Sequence, residues 1–332
     1  MSGRKHWLIR TALGLLALIT LLLVSLQLSP RPGTWLIARL FDLGSDAAAS
    51  ALEKHVPPGV VSQTDLIYSD TPRLGLDIHR PVQAHGPMPT VVWIHGGGWI
   101  SGDKGMLANY LKVLAGQGMV TVSVDYTLAP DARYPEQVRQ ANQALGWLTR
   151  HAQALDIDMN RVILAGDSAG AQIAAQLANI ITAPDYARRV GIAPMLDASR
   201  LRGAVLFCGP YDFGMFNWDG ALAWPLKTTL WALTGKRDFQ SQRIMDEGSV
   251  LRHVTAGFPP AFITVGNADP LMPQSHALAA RLQALGVPVD SLFFDAGHQP
   301  ALKHEYQFTL DNADGQLALT RATSFIEKES RP

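Results

Sequence analysis

The chain has 332 residues, 47% hydrophobic and 17% charged, with 28 basic residues balanced by 28 acidic ones. That length suits one sizeable α/β domain and by itself would allow two, and the scattered, balanced charge argues against nucleic-acid binding. Cys208 is the one cysteine, which excludes an internal disulfide, and none of the ten histidines shows metal-site spacing, so neither a metal nor a cofactor is expected.

The N-terminus places Arg4, Lys5 and Arg10 before an uncharged apolar run over residues 11–28. With Trp7-Leu8-Ile9 in front and a snorkelling Arg10, the run is long enough to cross a bilayer. A cleavable signal peptide has a shorter apolar core and small residues at its cleavage site, and residues 25–30 offer no such site. An uncleaved signal anchor is therefore expected in the inner membrane. It passes once, keeping the basic end cytoplasmic and placing the following domain outside. Ser29-Pro30-Arg31-Pro32-Gly33 ends the span. Trp35, Leu36, Leu40 and Phe41 then share one face of a short amphipathic helix, either lying on the membrane or forming part of a cap. The expected divisions are residues 1–33 (N-terminus and anchor), 34–60 (linker or cap helix) and 61–332 (main domain).

Residues 61–70 and 74–80 read as antiparallel edge strands. Short apolar runs at 91–94, 120–124, 162–165, 204–207, 262–265 and 291–294 read as buried parallel strands. Between them Val138, Ala141, Leu145 and Leu148 share one helical face, as do Leu278, Leu282 and Leu285. The alternation predicts a mostly parallel sheet covered by helices on both faces. It is interrupted over about 211–258 by an aromatic-rich insertion containing Phe213, Phe216, Trp218, Trp224 and Trp231. This insertion either walls an apolar pocket or packs as an ordinary helical subdomain.

The chemistry gathers where strands end. Gly166-Asp167-Ser168-Ala169-Gly170 follows one apolar run and precedes a helix of small residues, which is the strand–turn–helix setting of a nucleophile elbow exposing Ser168 Oγ. His95-Gly96-Gly97-Gly98-Trp99 follows another run. Glycines there let backbone N–H groups approach an oxygen closely, so Gly97, Gly98 and Ala169 are the expected oxyanion donors. A dinucleotide-binding reading of the same glycines fails on spacing, because Ser101 occupies the last glycine position. Asp269 lies just beyond the 262–265 strand and His298 in the loop after the last one, completing the order Ser…Asp…His. Asp295 competes as the acid but sits three residues before His298, where it shapes a turn.

These residues resemble the hormone-sensitive-lipase-type bacterial esterases of the α/β-hydrolase superfamily. The resemblance rests on His95 to Trp99, Asp125-Tyr126-x-Leu128-Ala129-Pro130, Gly166 to Gly170, Asp269-Pro270-Leu271 and Gly297-His298. Thr127, Asp131 and Pro273 depart from the family pattern at positions that bear on packing. The N-terminal region resembles only the membrane-anchored branch of such hydrolases. The resemblance implies an α/β-hydrolase fold and cleavage of small-molecule or lipid carboxylic esters with short to medium acyl chains. Ser168, His298 and Asp269 form the expected triad, with Trp99, Trp218 and Trp224 as candidate pocket residues. An amidase or peptidase using the same triad, or a non-catalytic binding module of this fold, remain the alternatives. No particular oligomeric state is implied.

Overall fold

A computed structural model describes residues 2–83 and 88–331, with side chains from His6 onward. The side chains of Arg4 and Lys5, on which the expected orientation partly rests, lie outside the described residues.

Helix α1 spans Ser2–Leu28, and its segment His6–Leu28 is the one helix among the described residues long and apolar enough to cross a membrane. None of that segment is buried against the rest of the chain. Two residues separate it from α2 (Arg31–Leu52), which follows the N-cap Pro30 and carries Pro32 in its first turn, where a proline is tolerated as it is not in a helix interior.

The body is a sheet of eight strands among the described residues: β1 (Val60–Asp70), β2 (Arg73–Pro81), β3 (Pro89–Ile94), β4 (Val120–Val124), β5 (Asp158–Asp167), β6 (Leu201–Phe207), β7 (Ala261–Thr264) and β8 (Val289–Leu292). Their order is β1-β2-β4-β3-β5-β6-β7-β8. The β1–β2 and β2–β4 pairs are antiparallel and the remainder parallel. The alternation of side chains explains why the central strands read as unbroken apolar runs. Val91 and Trp93 enter the core on one face with Ile163, Val205 and Phe262, while Val92 and Ile94 enter the other with Leu164 and Leu206.

Helices α3 (Ala108–Ala115), α4 (Glu136–Leu155), α5 (Ser168–Thr182), α6 (Pro184–Val190), α7 (Ala223–Thr234), α8 (Ile244–Glu247), α9 (Met272–Ala284) and α10 (Ala313–Glu329) complete the fold. β8 ends two residues earlier than the apolar run suggests. Phe294 instead leaves the ladder to pack edge-on against Tyr306, with ring centroids 5.4 Å apart. Strands β3 and β5 are neighbours although β4 separates them in sequence. The loops at their C-terminal ends therefore meet where the strand order reverses, the usual place for a site in an open α/β sheet.

Candidate active site

Ser168 is the first residue of α5, directly after β5, and its φ is +49°. A non-glycine residue in this region costs on the order of 1–3 kcal/mol, which the surrounding packing must offset. Gly170 shows how tight that packing is: a Cβ there would lie 2.0 Å from the Ile94 carbonyl oxygen. Only a bare backbone lets the helix start pass so close to the end of β3.

The residue before the serine ties this turn to the glycine loop. Asp167 is fully buried at the end of β5. Its carboxylate oxygens accept from the Trp93 indole N–H at 2.8 Å and from the Gly96 backbone N–H at 3.0 Å. Burial first, and then the nearby Glu305 carboxylate, push Asp167 well above the usual carboxylate range. The loop beyond turns through positive φ at Gly97 (87°), Gly98 (60°) and Trp99 (61°). Among the described residues, the N–H groups of Gly97 and Gly98 have no acceptor. Ala169 sits in the first turn of α5, where backbone donors lack intrahelical partners. The Tyr126 hydroxyl donates to the His95 and Gly96 carbonyls, both at 3.0 Å, holding the loop from behind.

The imidazole beside the serine belongs to His304, not to the expected His298. His304 Nε2 is 3.0 Å from Ser168 Oγ, and His304 Nδ1 is 2.7 Å from Asp269 Oδ2. Asp269 is buried, and its second oxygen accepts from the Leu271 N–H at 2.7 Å. Ser168 and Asp269 are thus linked through the ring of His304, and His298 touches neither.

The reason lies in the loop after β8. The Asp295 carbonyl accepts from the His298 N–H at 2.9 Å, closing a tight turn. The Asn267 amide nitrogen grips that turn through the His298 carbonyl at 3.1 Å. So held, His298 points its ring at α10, with Nε2 3.1 Å from Asp314 Oδ2. The chain then runs back along the sheet edge. The Leu302 N–H donates to Asn267 Oδ1 at 2.8 Å, and its carbonyl accepts from Ala268 N at 2.9 Å, which brings His304 over Asp269. The expected competitor Asp295 is exposed and serves the turn.

Two further residues escaped the sequence reading. Cys208 entered the sequence reading only as the one cysteine. It lies just past β6 at φ +44°, beside the imidazole, and burial pushes its thiol up to about 11. Its Sγ lies with the His304 and Asp269 ligand atoms in a cluster no wider than 4.8 Å. A protonated thiol and an imidazole already hydrogen-bonded to the carboxylate suit a packed acid–base pair better than a metal cage. Glu305, in the left-handed region at φ +60°, places Oε1 3.7 Å from His304 Nε2. Desolvation opposes the imidazolium; the hydrogen bond to Asp269 and the Glu305 carboxylate favour it, and His304 ends well above its ordinary value.

Of the candidate pocket residues, Trp99 is buried against Phe213 and donates to Gln172 Oε1 at 3.2 Å. Phe213 contacts Phe216, Phe216 contacts Trp218, and Trp218 contacts Phe239, so an aromatic file runs from the glycine loop into the insertion. Trp224 is half-exposed and packs beside Gly33 of α2. From the other side Phe41 of α2 reaches the glycine loop, 3.1 Å from where a Gly98 Cβ would stand. Asp42 accepts from the Ser101 hydroxyl at 2.6 Å.

Residues 91–299 match the family described as alpha/beta hydrolase fold. An esterase of Fusarium pseudograminearum is 28% identical over 206 residues, 60% of this chain and 62% of that protein, so the match spans less than two thirds of the relative. The ethyl acetate hydrolase of Pseudomonas putida is 29% identical over 252 residues, 74% of this chain and 76% of that protein. Esterase B of Lactobacillus rhamnosis has a similar solved structure, at a TM-score of 0.75 and 24% identity, covering 90% of this chain and 96% of that one. That likeness establishes the fold.

Proposed function

Because this chain belongs to the alpha/beta hydrolase fold family, we propose that it is a membrane-anchored serine hydrolase of carboxylic esters. The single observation that carries the proposal is the continuous contact Ser168 Oγ, His304 Nε2, His304 Nδ1, Asp269 Oδ2, at 3.0 and 2.7 Å. A nucleophile, a base and an orienting acid in line is the arrangement acyl transfer needs.

Ser168 Oγ attacks the ester carbonyl carbon while His304 Nε2 takes the hydroxyl proton. Asp269 holds the ring in the tautomer whose Nε2 lone pair faces the serine and stabilises the imidazolium that forms. The oxyanion is received by the free N–H groups of Gly97 and Gly98 and by Ala169 at the positive end of α5. The imidazolium returns its proton to the leaving alkoxide. Water deprotonated by His304 then attacks the acyl-serine, releasing the acid and restoring Ser168. The names of the relatives favour esters over amides. The aromatic file from Trp99 to Phe239 supports a bounded apolar acyl site suited to short and medium chains.

The apolar length of His6–Leu28 supports an uncleaved anchor, with residues 1–33 as the anchoring segment, 34–60 as linker or cap helix and 61–332 as the catalytic domain outside the cytoplasm. The test is a fluorophosphonate probe combined with a screen of p-nitrophenyl esters of graded length and their anilide analogues. Covalent labelling lost in Ser168→Ala, with esters cleaved far faster than anilides, is expected. No labelling points to a binding module, and faster anilide cleavage to an amidase.

A further inference from the structure

The described residues outside α1 expose twelve large apolar side chains, and seven of them crowd one region. Five lie on α2: Trp35, Leu36, Leu40, Phe41 and Leu43. Leu222 and Trp224, at the start of α7, are each 50% exposed, and Trp224 packs beside Gly33 of α2. At 100° per residue, Trp35, Leu36, Leu40 and Leu43 fall within an arc of about 140°, with Arg39 among them.

The rest of the α2 circumference is fixed to the body. Ile37 is buried in the core, Gly33 lies against Thr228 and Trp224, Phe41 reaches the glycine loop, and Asp42 holds Ser101. The helix therefore cannot roll over to hide its apolar arc. Its neighbour in sequence is α1, two residues away, whose end is tied to the body by Arg237 donating to Gln27 Oε1 at 2.7 Å. Arg39, Lys236 and Arg237 are exposed, as is Arg31, which pairs with Asp131 at 2.7 Å; the first three form a basic set suited to anionic headgroups where α1 leaves the hydrocarbon. Apolar and tryptophan side chains interspersed with arginine are what a helix lying in the interfacial layer presents.

We propose that the outer arc of α2, continued by Leu222 and Trp224, lies in the bilayer surface and that the enzyme takes its esters from the membrane leaflet. This rests on the anchor and esterase readings above. It goes further in naming the surface and in making lipid-dissolved esters the substrate class. Because the inner face of α2 carries Phe41 to the glycine loop, a helix seated in the leaflet sets the reacting serine next to it.

The test uses the full chain reconstituted in phosphatidylcholine–phosphatidylglycerol vesicles. Trp35 fluorescence, taken as the difference between wild type and Trp35→Phe, should be quenched by phosphatidylcholine brominated near the top of its acyl chains. Leu40→Glu combined with Leu43→Glu should lower hydrolysis of 4-methylumbelliferyl decanoate dissolved in the vesicles about tenfold or more. Hydrolysis of water-soluble p-nitrophenyl acetate should stay within about twofold, since both leucines are exposed. An unquenched Trp35, or equal loss on both esters, in protein that resists carbonate extraction overturns the interfacial reading and leaves the anchor standing. Extraction of the wild type by carbonate overturns the anchor and this inference with it. A quenched Trp35 in a protein that cleaves neither ester keeps the surface but overturns the substrate assignment.

Discussion

His298 and His304 are six residues apart and serve different partners: His298 Nε2 lies 3.1 Å from Asp314 Oδ2, and His304 Nε2 lies 3.0 Å from Ser168 Oγ. His304→Ala should therefore lower kcat/KM by about 10⁴ or more, as loss of a triad member does. His298→Ala should leave kcat/KM within a few-fold and cost some stability through the lost contact with Asp314. Steady-state kinetics on a short-chain ester checks this, and the opposite ranking would return the base to His298.

Asp269→Asn should cost about 10⁴ in kcat, because an amide favours the wrong imidazole tautomer, whereas Asp295→Asn should cost little. The pH dependence carries a second signature. Only neutral His304 accepts the serine proton, and its raised pKa places the acid limb of activity above the ordinary histidine range. Removing the Asp269 carboxylate removes part of that upward push. The limb in Asp269→Asn should move to lower pH while the plateau falls, and an unmoved limb counts against Asp269 as the partner.

Gly170→Ala should prevent productive folding or abolish activity, since its Cβ would stand 2.0 Å from the Ile94 carbonyl oxygen and 2.4 Å from that of His95. Gly297→Ala meets nothing within 4 Å and should change Tm and kcat/KM little. Circular dichroism melts and kinetics of the two purified variants separate a glycine required by contact from one that belongs to a turn.

Two buried histidines should make the fold acid-sensitive. Burial lowers both His79 and His95 to about 4, against about 6.5 in an unfolded chain. The unfolded chain therefore binds protons that the native state refuses. Stability is full above about pH 6.5 and falls toward pH 4, by up to about 3 kcal/mol per histidine. Urea midpoints of the detergent-solubilised chain at pH 7, 5.5 and 4.5 should decline, and His79→Gln should shallow the decline. Midpoints flat across that window would contradict it.

Along a p-nitrophenyl series kcat/KM should rise at first, because each buried methylene contributes roughly 0.8 kcal/mol, and fall once the site is full. Trp218→Ala should move the peak to longer chains, since Trp218 stands in the aromatic file that starts at Trp99. Trp224→Ala, half-exposed beside α2, should leave the peak in place. A peak moved only by Trp224→Ala would relocate the acyl site.

Ser168 and Asp269 were legible because each follows a strand within a few residues, and strands announce themselves as apolar runs. The glycine loop was legible for the same reason. His304 was not, because it stands twelve residues past the end of β8. Its position is decided by the Asn267 side chain and the Leu302 backbone, contacts that no local pattern records. The available signal was a second histidine in the same loop, followed by an acid. Amphipathic spacing marked α2 but left it between membrane and cap. Its inner contacts are with Gly98 and Ser101, far along the chain, so only the folded structure shows that it touches the site.

The buried carboxyl of Asp167 gives the site a mechanical division. Through Trp93 and Gly96 it welds the nucleophile turn to the glycine loop, while Asn267 and Ala268 weld the acid-bearing turn to the strand of loop carrying His304. The two halves meet where Ser168 contacts His304 and where the Trp93 ring lies 6.3 Å from that of Phe308. Removing the Asp167 carboxylate should therefore loosen the serine turn and the glycine loop together, while His304 stays paired with Asp269.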